Sequence, residues 1–315
     1  MNIYTPGYVK LLESGELDDR ISSLKEKLKK CNLCPHKCGI DRTAGEKGIC
    51  KADESLYVSS AFPHFGEEAP LVGKYGSGTI FFTHCNLRCI FCQNYDISHY
   101  GEGKKTSIEK LAEYMLDLQK NKCHNINIVT PTHYVPQLVE GLKIAAENGL
   151  KIPLVYNCGG YESVETLKLL KNIVDIYMPD AKFSSNEIAK KYTTAPDYYD
   201  ILKKALKEMH KQVGDLKIDS SGIAYKGLLI RHLVMPNNVA GSEKLINFIA
   251  NNLSKNSYVN IMAQYRPLHL AHRFNKINRK IYHSEFNEVI KIARNKGLFR
   301  GFNEDKIYFI LRDIL

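Results

Sequence analysis

The sequence predicts an α/β fold: a partial, open (β/α)6 barrel with a small N-terminal cysteine-rich segment. Two observations predict it. Six short apolar runs of strand length lie between residues 79 and 263, and amphipathic helical stretches separate them. Strand followed by helix, repeated, gives parallel strands joined by right-handed crossovers. Six such units are fewer than the eight that close a TIM barrel. A doubly wound sheet fits the same count.

Residues 8–30 place Val9, Leu11, Leu12, Leu17, Ile21, Leu24 and Leu28 at helical spacing, broken near Ser14-Gly15. A cysteine-rich knot follows at 31–50. The six strands are expected at Thr79–Thr83, Asn125–Thr130, Ile152–Asn157, Val174–Met178, Leu228–Met235 and Tyr258–Ala263. Helices are clearest at Ser107–Lys120, Val135–Asn148, Val164–Lys171 and Glu243–Asn252. Thr106 with Glu109 reads as a capping box for the first of these, and Asn148-Gly149 as a helix stop. The chain thus divides into 1–52 (N-terminal helix and four-cysteine knot), 53–78 (a connecting segment containing Glu67-Glu68), 79–275 (the barrel) and 276–315 (a C-terminal helical extension ending in the apolar run Ile307–Leu311).

The 315 residues are 44% apolar, enough for a sizeable core, and carry a formal charge of +10. Residues 20–51 hold nine Lys/Arg against three Asp/Glu. No stacking platform or RNA-binding signature accompanies that charge, which weighs against a nucleic-acid partner. No run approaches the ~20 apolar residues that cross a bilayer, so no membrane partner is expected. The first residues lack the charged and apolar regions of a signal peptide. The expected location is the cytoplasm. Disulfides are disfavoured there, so nine cysteines, seven of them in two clusters, read first as metal ligands.

The first cluster in importance is Thr83-His84-Cys85-Asn86-Leu87-Arg88-Cys89-Ile90-Phe91-Cys92-Gln93-Asn94, directly after the first expected barrel strand. The spacing is C-x3-C-x2-C. Three thiolates hold three irons of a cubane cluster, whereas ordinary clusters use four. The remaining iron is then open to a small molecule through oxygen and nitrogen. Zinc, with His84 as a fourth ligand, is the competing reading.

This C-x3-C-x-aromatic-C pattern, with Phe91 as the aromatic, resembles that of the radical S-adenosylmethionine (SAM) superfamily. The stretch from Gly78 to Asp96 resembles the pyruvate formate-lyase activating enzymes. Asp180-Ala181-Lys182 follows the fourth expected strand as an Asp-x-Lys does in those activases, and Arg231 on the fifth matches an arginine that contacts SAM there. The resemblance thus implies that Asp180, Lys182 and Arg231 orient and neutralise SAM. The resemblance covers roughly residues 75–270. It implies a [4Fe–4S] cluster on Cys85, Cys89 and Cys92, and SAM as co-substrate. A reduced cluster passes an electron to the sulfonium. Methionine leaves, and a 5′-deoxyadenosyl radical abstracts hydrogen from a substrate. Two departures stand out. The family's Gly-Gly-Glu-Pro segment, which holds the SAM amino group, is replaced by Thr130-Pro131-Thr132-His133, so the Thr130 carbonyl and the Thr132 hydroxyl become the candidate contacts. The Asp-Gly-Pro-Gly-Ile-Arg lead-in of glycyl-radical activases is absent. Asn157, in Asn157-Cys158-Gly159-Gly160, ends a strand where glycines admit a ligand close to backbone. Gln264 and Arg266 follow the sixth strand and face either ligand or rim.

The second cluster is Cys31, Cys34, Cys38 and Cys50, at x2, x3 and x11 spacing. Gly39, Gly45 and Gly48 allow the tight turns that bring backbone amides to sulfur. Zinc in a structural role and an auxiliary [4Fe–4S] cluster both fit. Cys-x2-Cys-Pro and Gly-x-Cys resemble zinc knuckles, which favours zinc.

The expected function is radical SAM hydrogen abstraction, activase-like, on a protein or peptide substrate, with a reductant such as flavodoxin or ferredoxin. Radical modification of a small molecule or RNA is the alternative. An iron–sulfur electron carrier or metal-binding adaptor is the reading from another class, and it leaves Asp180, Lys182 and Arg231 unexplained.

Overall fold

The computed structural model describes residues 4–302, so the apolar run Ile307–Leu311 lies outside the described residues. Two helices open the chain, α1 (Gly7–Glu13) and α2 (Glu16–Lys29), separated at Ser14-Gly15 where Gly15 takes a left-handed φ of 78°. Leu17, Ile21, Leu24 and Leu28 recur at helical spacing on α2 and are buried. A fully buried leucine contributes roughly 1.5–3 kcal/mol. Leu24→Ala, at a fully buried position, should cost about 2–5 kcal/mol.

Strand β1 (Tyr57–His64) follows, then β2 (Ser77–Phe82). The alternation continues as α3 (Ile108–Lys120), β3 (Ile126–Val129), α4 (Val135–Glu147), β4 (Leu154–Cys158), α5 (Val164–Leu169) and β5 (Ile176–Pro179). Next come α6 (Asn186–Tyr192), α7 (Tyr198–Val213), β6 (Ala224–Leu233), α8 (Ser242–Asn252), β7 (Tyr258–Met262) and α9 (His283–Asn295). Two-residue strands at Lys104–Lys105 and Lys217–Ile218 add antiparallel pairs to β1 and β6. All six expected strands are present, each displaced by three residues or fewer at either end except the early start of β6.

Strands β2, β3, β4, β5, β6 and β7 lie side by side in sequence order, each parallel to the next. A doubly wound sheet reverses its strand order at a switch point, and none occurs here. The fold is therefore the partial (β/α)6 barrel. It is open because the free edge of β2 pairs antiparallel with β1 rather than with β7.

Three expectations change in detail. The segment 53–78 is more than a connection, since it supplies β1 and the short helix Ala69–Val72. The cap of α3 is Ser107, whose hydroxyl accepts from Lys110 N, and not Thr106. Thr106 N–H is already committed to Leu56 O, so the chain leaves strand pairing one residue later. Helices α6 and α7 lie between the fourth and fifth expected strands. Leu202, Leu206, Met209 and Val213 form the buried stripe of α7. As expected, α4 stops at Asn148 and Gly149, the latter at φ 90°.

Candidate active site

The loop after β2 carries Cys85, Cys89 and Cys92. His84 and Arg88 hold left-handed φ values of 66° and 45°. Such conformations cost non-glycine residues of order 1–3 kcal/mol and persist only where surroundings fix them. Here they are fixed. His84 N–H donates to Ile97 O, Ile90 N–H to Tyr192 O, and the buried Asn86 side chain to Tyr161 O. Two of the sulfurs accept hydrogen bonds, Cys85 Sγ from Leu87 N–H at 3.3 Å and Cys92 Sγ from the Ser98 hydroxyl at 3.2 Å. Burial pushes the Cys85 thiol up to about 11, and raises Cys89 as well. A metal binding these sulfurs must therefore displace protons.

Cys89 and Cys92 border a cavity of about 450 Å³ at the C-terminal ends of the parallel strands. Asp180 and Lys182 beyond β5, and Arg231 on β6, also line it. They form one chain of opposite charges. Lys182 Nζ lies 2.6 Å from Asp180 Oδ2, and Arg231 Nε lies 2.7 Å from Asp180 Oδ1. Arg231 Nη2 donates to Asn157 Oδ1 at 2.7 Å, while Nη1 lies 3.8 Å from Glu67 Oε2. Burial alone would raise the Asp180 carboxyl, but Arg231 and Lys182 hold it below the usual range. Burial alone would lower Lys182, but Asp180 and the nearby Cys89 sulfur raise it. Both residues are therefore charged at neutral pH.

Thr130 lines the cavity at a φ of 60°, a strained conformation for a β-branched residue, and doubly so before Pro131. Its N–H donates to Asn157 O at 2.8 Å. Thr132 is turned away: it is buried, and its hydroxyl donates to Glu162 Oε1 at 2.7 Å. Of the two candidate amino-group contacts, only Thr130 reaches the cavity. Gln264 and Arg266 both line it, from exposed positions.

Cys31, Cys34, Cys38 and Cys50 are all free thiols, three of them buried. Gly39 and Gly45 take φ values of 69° and 83°. A Cβ on Gly48 would come within 2.8 Å of Cys38 Sγ, so a larger residue there would displace that thiol. Among the described residues, no three or more His, Cys, Asp or Glu side chains are grouped as the ligands of a single metal ion would be. The knot is tied to the barrel at three points. His36 Nε2 lies 2.8 Å from Asn86 O, Thr166 donates to Leu33 O, and the fully buried Arg42 donates to His133 O at 2.7 Å.

Sequence reasoning missed Ser98, Arg42 and the acidic pair Glu67 and Glu68, which lines the cavity from the segment between β1 and β2. One signal was available: these two glutamates are the only Asp, Glu, Lys or Arg between residues 55 and 73.

A family model described as the radical SAM superfamily matches residues 79–223. The uncharacterized protein MJ0674 of Methanocaldococcus jannaschii is 35% identical over 305 residues, covering 93% of this chain and 80% of its own. MJ0808 of the same organism is 27% identical over 157 residues, 45% of this chain and 46% of its own. Among solved structures, HydG, a maturase of the [FeFe]-hydrogenase, is 14% identical with a TM-score of 0.48, over 69% of this chain and 48% of that one. Methylornithine synthase (PylB) is 15% identical with a TM-score of 0.46, over 67% of this chain and 60% of that one. The chain thus spans less than two thirds of either solved structure. Among the described residues, no helix is long and apolar enough to cross a membrane.

Proposed function

The chain belongs to the radical SAM superfamily, and from that premise we propose that Cys85, Cys89 and Cys92 hold a [4Fe–4S] cluster, one iron each, and that the adjoining cavity takes SAM. The donor set supports this reading. One strained loop carries all three thiols, two of which, Cys89 and Cys92, line a cavity, and hydrogen bonds to two of the sulfurs are of the kind that tunes a cluster. A cubane asks each cysteine to bind its own iron, so it does not need three side chains closed around one point. When bound, cluster and SAM supply an electron-driven cleavage that gives methionine and a 5′-deoxyadenosyl radical, which abstracts hydrogen from substrate.

The chain's own residues bind and orient. Lys182 is the cation between Asp180 and the thiols, and its ammonium has donors beyond the one given to Asp180. We assign it the SAM carboxylate. Asp180 holds Lys182 in place, while Arg231 and Asn157 hold Asp180 and the strand ends. The Thr130 carbonyl is the contact for the amino group. Phe81, Phe82, Leu233 and Met262 line the cavity and exclude water.

The finer reading is activase-like: hydrogen abstraction from a protein or peptide, with flavodoxin or ferredoxin as reductant. The likeness over Gly78–Asp96, Asp180-x-Lys182 and Arg231 supports it. A small molecule or RNA is the second reading, favoured by the missing glycyl-radical lead-in. For the four-cysteine knot we propose a structural zinc ion, which Cys-x2-Cys-Pro and Gly-x-Cys favour, with an auxiliary [4Fe–4S] cluster as the second reading. The single observation that carries the main proposal is that Cys89, Cys92 and Lys182 line one cavity, with Cys85 on the same loop. The test is anaerobic reconstitution with reductant and SAM, followed by assay for 5′-deoxyadenosine.

A further inference from the structure

Resting on that reading, we propose that Glu67 and Glu68 form a cation-binding subsite that recognises an ammonium or guanidinium group of the substrate. The segment between β1 and β2 carries both carboxylates to the open side of the barrel. Glu68 accepts a hydrogen bond from Asn260 on β7, and Glu67 faces Arg231 on β6. Both line the main cavity and an adjoining one of about 300 Å³, so they stand where the two meet.

Glu67 carries the argument. Its side chain is only 10% exposed. Its Oε2 is buried and accepts no hydrogen bond. Arg231 Nη1, at 3.8 Å, is too far to donate one. A buried carboxylate oxygen without a donor is costly, and the cost is relieved by a cation that brings its own N–H groups. Burial chiefly raises the Glu68 carboxyl to about 7, with Arg231 opposing the rise and Glu67 adding to it. Glu68 therefore gains a proton easily, and a cation placed beside it would favour its charged form.

SAM also carries an ammonium. Lys182, which acts on the Cys89 sulfur, is joined to Glu67 through Asp180 and Arg231. The acidic pair is thus separated by two residues of the contact chain from the cation assigned to SAM's carboxylate, and a SAM titration tests whether SAM's own ammonium takes the site. The free cation belongs to a second molecule, either a small amine or a Lys or Arg side chain in a peptide.

The test uses the full chain, reconstituted anaerobically, and three probes: agmatine, the peptide Gly-Arg-Gly, and its neutral analogue with citrulline in place of arginine. Binding is measured by calorimetry, and SAM affinity by the spectral change of the reduced cluster. At least one cationic probe should bind, with the citrulline peptide at least tenfold weaker. Preference for agmatine or for the peptide distinguishes a small amine from a peptide substrate. Glu67→Gln should weaken cation binding at least tenfold, and Glu67→Asp less, while SAM affinity shifts less than threefold. Equal binding of charged and neutral peptides to the unaltered protein would overturn the proposal, as would no probe binding at all. A tenfold loss of SAM affinity in Glu67→Gln would also overturn it, by giving the site to SAM's ammonium. Absence of 5′-deoxyadenosine from the unaltered protein would instead refute the radical SAM reading, and leaves the cation measurement standing.

Discussion

Arg231 Nε donates to Asp180 Oδ1 at 2.7 Å and Nη2 to Asn157 Oδ1 at 2.7 Å, so two of its three guanidinium nitrogens are held by the strand ends, while Nη1 lies 3.8 Å from Glu67 Oε2. By its chemistry alone, Arg231 is the better partner for a carboxylate, because a planar fork holds one in fixed orientation. Its neighbours remove it from that role and leave Lys182 nearest the thiols. Lys182→Met should therefore raise the dissociation constant for SAM by about 10–150-fold, the loss of one charge-assisted hydrogen bond. Arg231→Lys should change SAM affinity less and lower stability more. A SAM titration followed by electron paramagnetic resonance of the reduced cluster, beside thermal unfolding of each variant, separates the two. Equal SAM affinity in Lys182→Met and the unaltered protein would move the carboxylate elsewhere.

Thr130 supplies a second prediction. A β-branched residue at φ 60° before proline is strained, and glycine is not. Thr130→Gly should stabilise the fold by about 1 kcal/mol. If the carbonyl makes the SAM contact, SAM affinity should be unchanged. A large loss of affinity with a normal melting curve would assign the contact to the hydroxyl.

His133 gives the fold a pH dependence. It is fully buried, and burial, helped by the Arg42 charge, lowers it to about 3. Its folded value lies below the free value. Its contribution to stability is therefore complete above pH 6.5 and is lost as pH falls from 6.5 towards 3, by about 1.4 kcal/mol per unit. His133→Asn does not titrate. The stability gap between it and the unaltered protein should close by about 2 kcal/mol between pH 6.5 and 5. Urea unfolding at each pH measures this, and a constant gap would contradict it.

The four-cysteine knot is decided by metal content. Two cubanes give about eight irons and eight sulfides per chain, and one cubane with a zinc ion gives about four. We expect about four, with one zinc ion. Cys34→Ala should then lose the zinc, yet keep the iron and the SAM-dependent spectral change of the central cluster. Loss of that change from folded Cys34→Ala protein would mean the two clusters are wrongly assigned.

Much of this was legible in the sequence because it rests on local periodicity. The C-x3-C-x2-C spacing and the apolar runs locate the thiols at the end of a strand, and strand order then makes the barrel. Ser14-Gly15 and Asn148-Gly149 mark helix ends through backbone freedom alone. What escaped depends on contacts between distant residues. The pairing of β1 with β2 turns a stretch read as connection into a strand. Glu67 meets Arg231 across 164 positions of sequence, with no local signal except an isolated acidic pair. Thr132 looked as suitable as Thr130 until its hydroxyl was seen to belong to Glu162, thirty residues on.

The most direct test of the central claim is 5′-deoxyadenosine formation by anaerobically reconstituted protein given SAM and a strong reductant, compared with Cys85→Ala, Cys89→Ala and Cys92→Ala. Removing any one thiolate leaves an iron without its anionic ligand and a cluster prone to loss. The account predicts 5′-deoxyadenosine from the unaltered protein and none from the three variants. Iron-loaded protein that makes none, or a cysteine variant that makes as much as the unaltered protein, would contradict it.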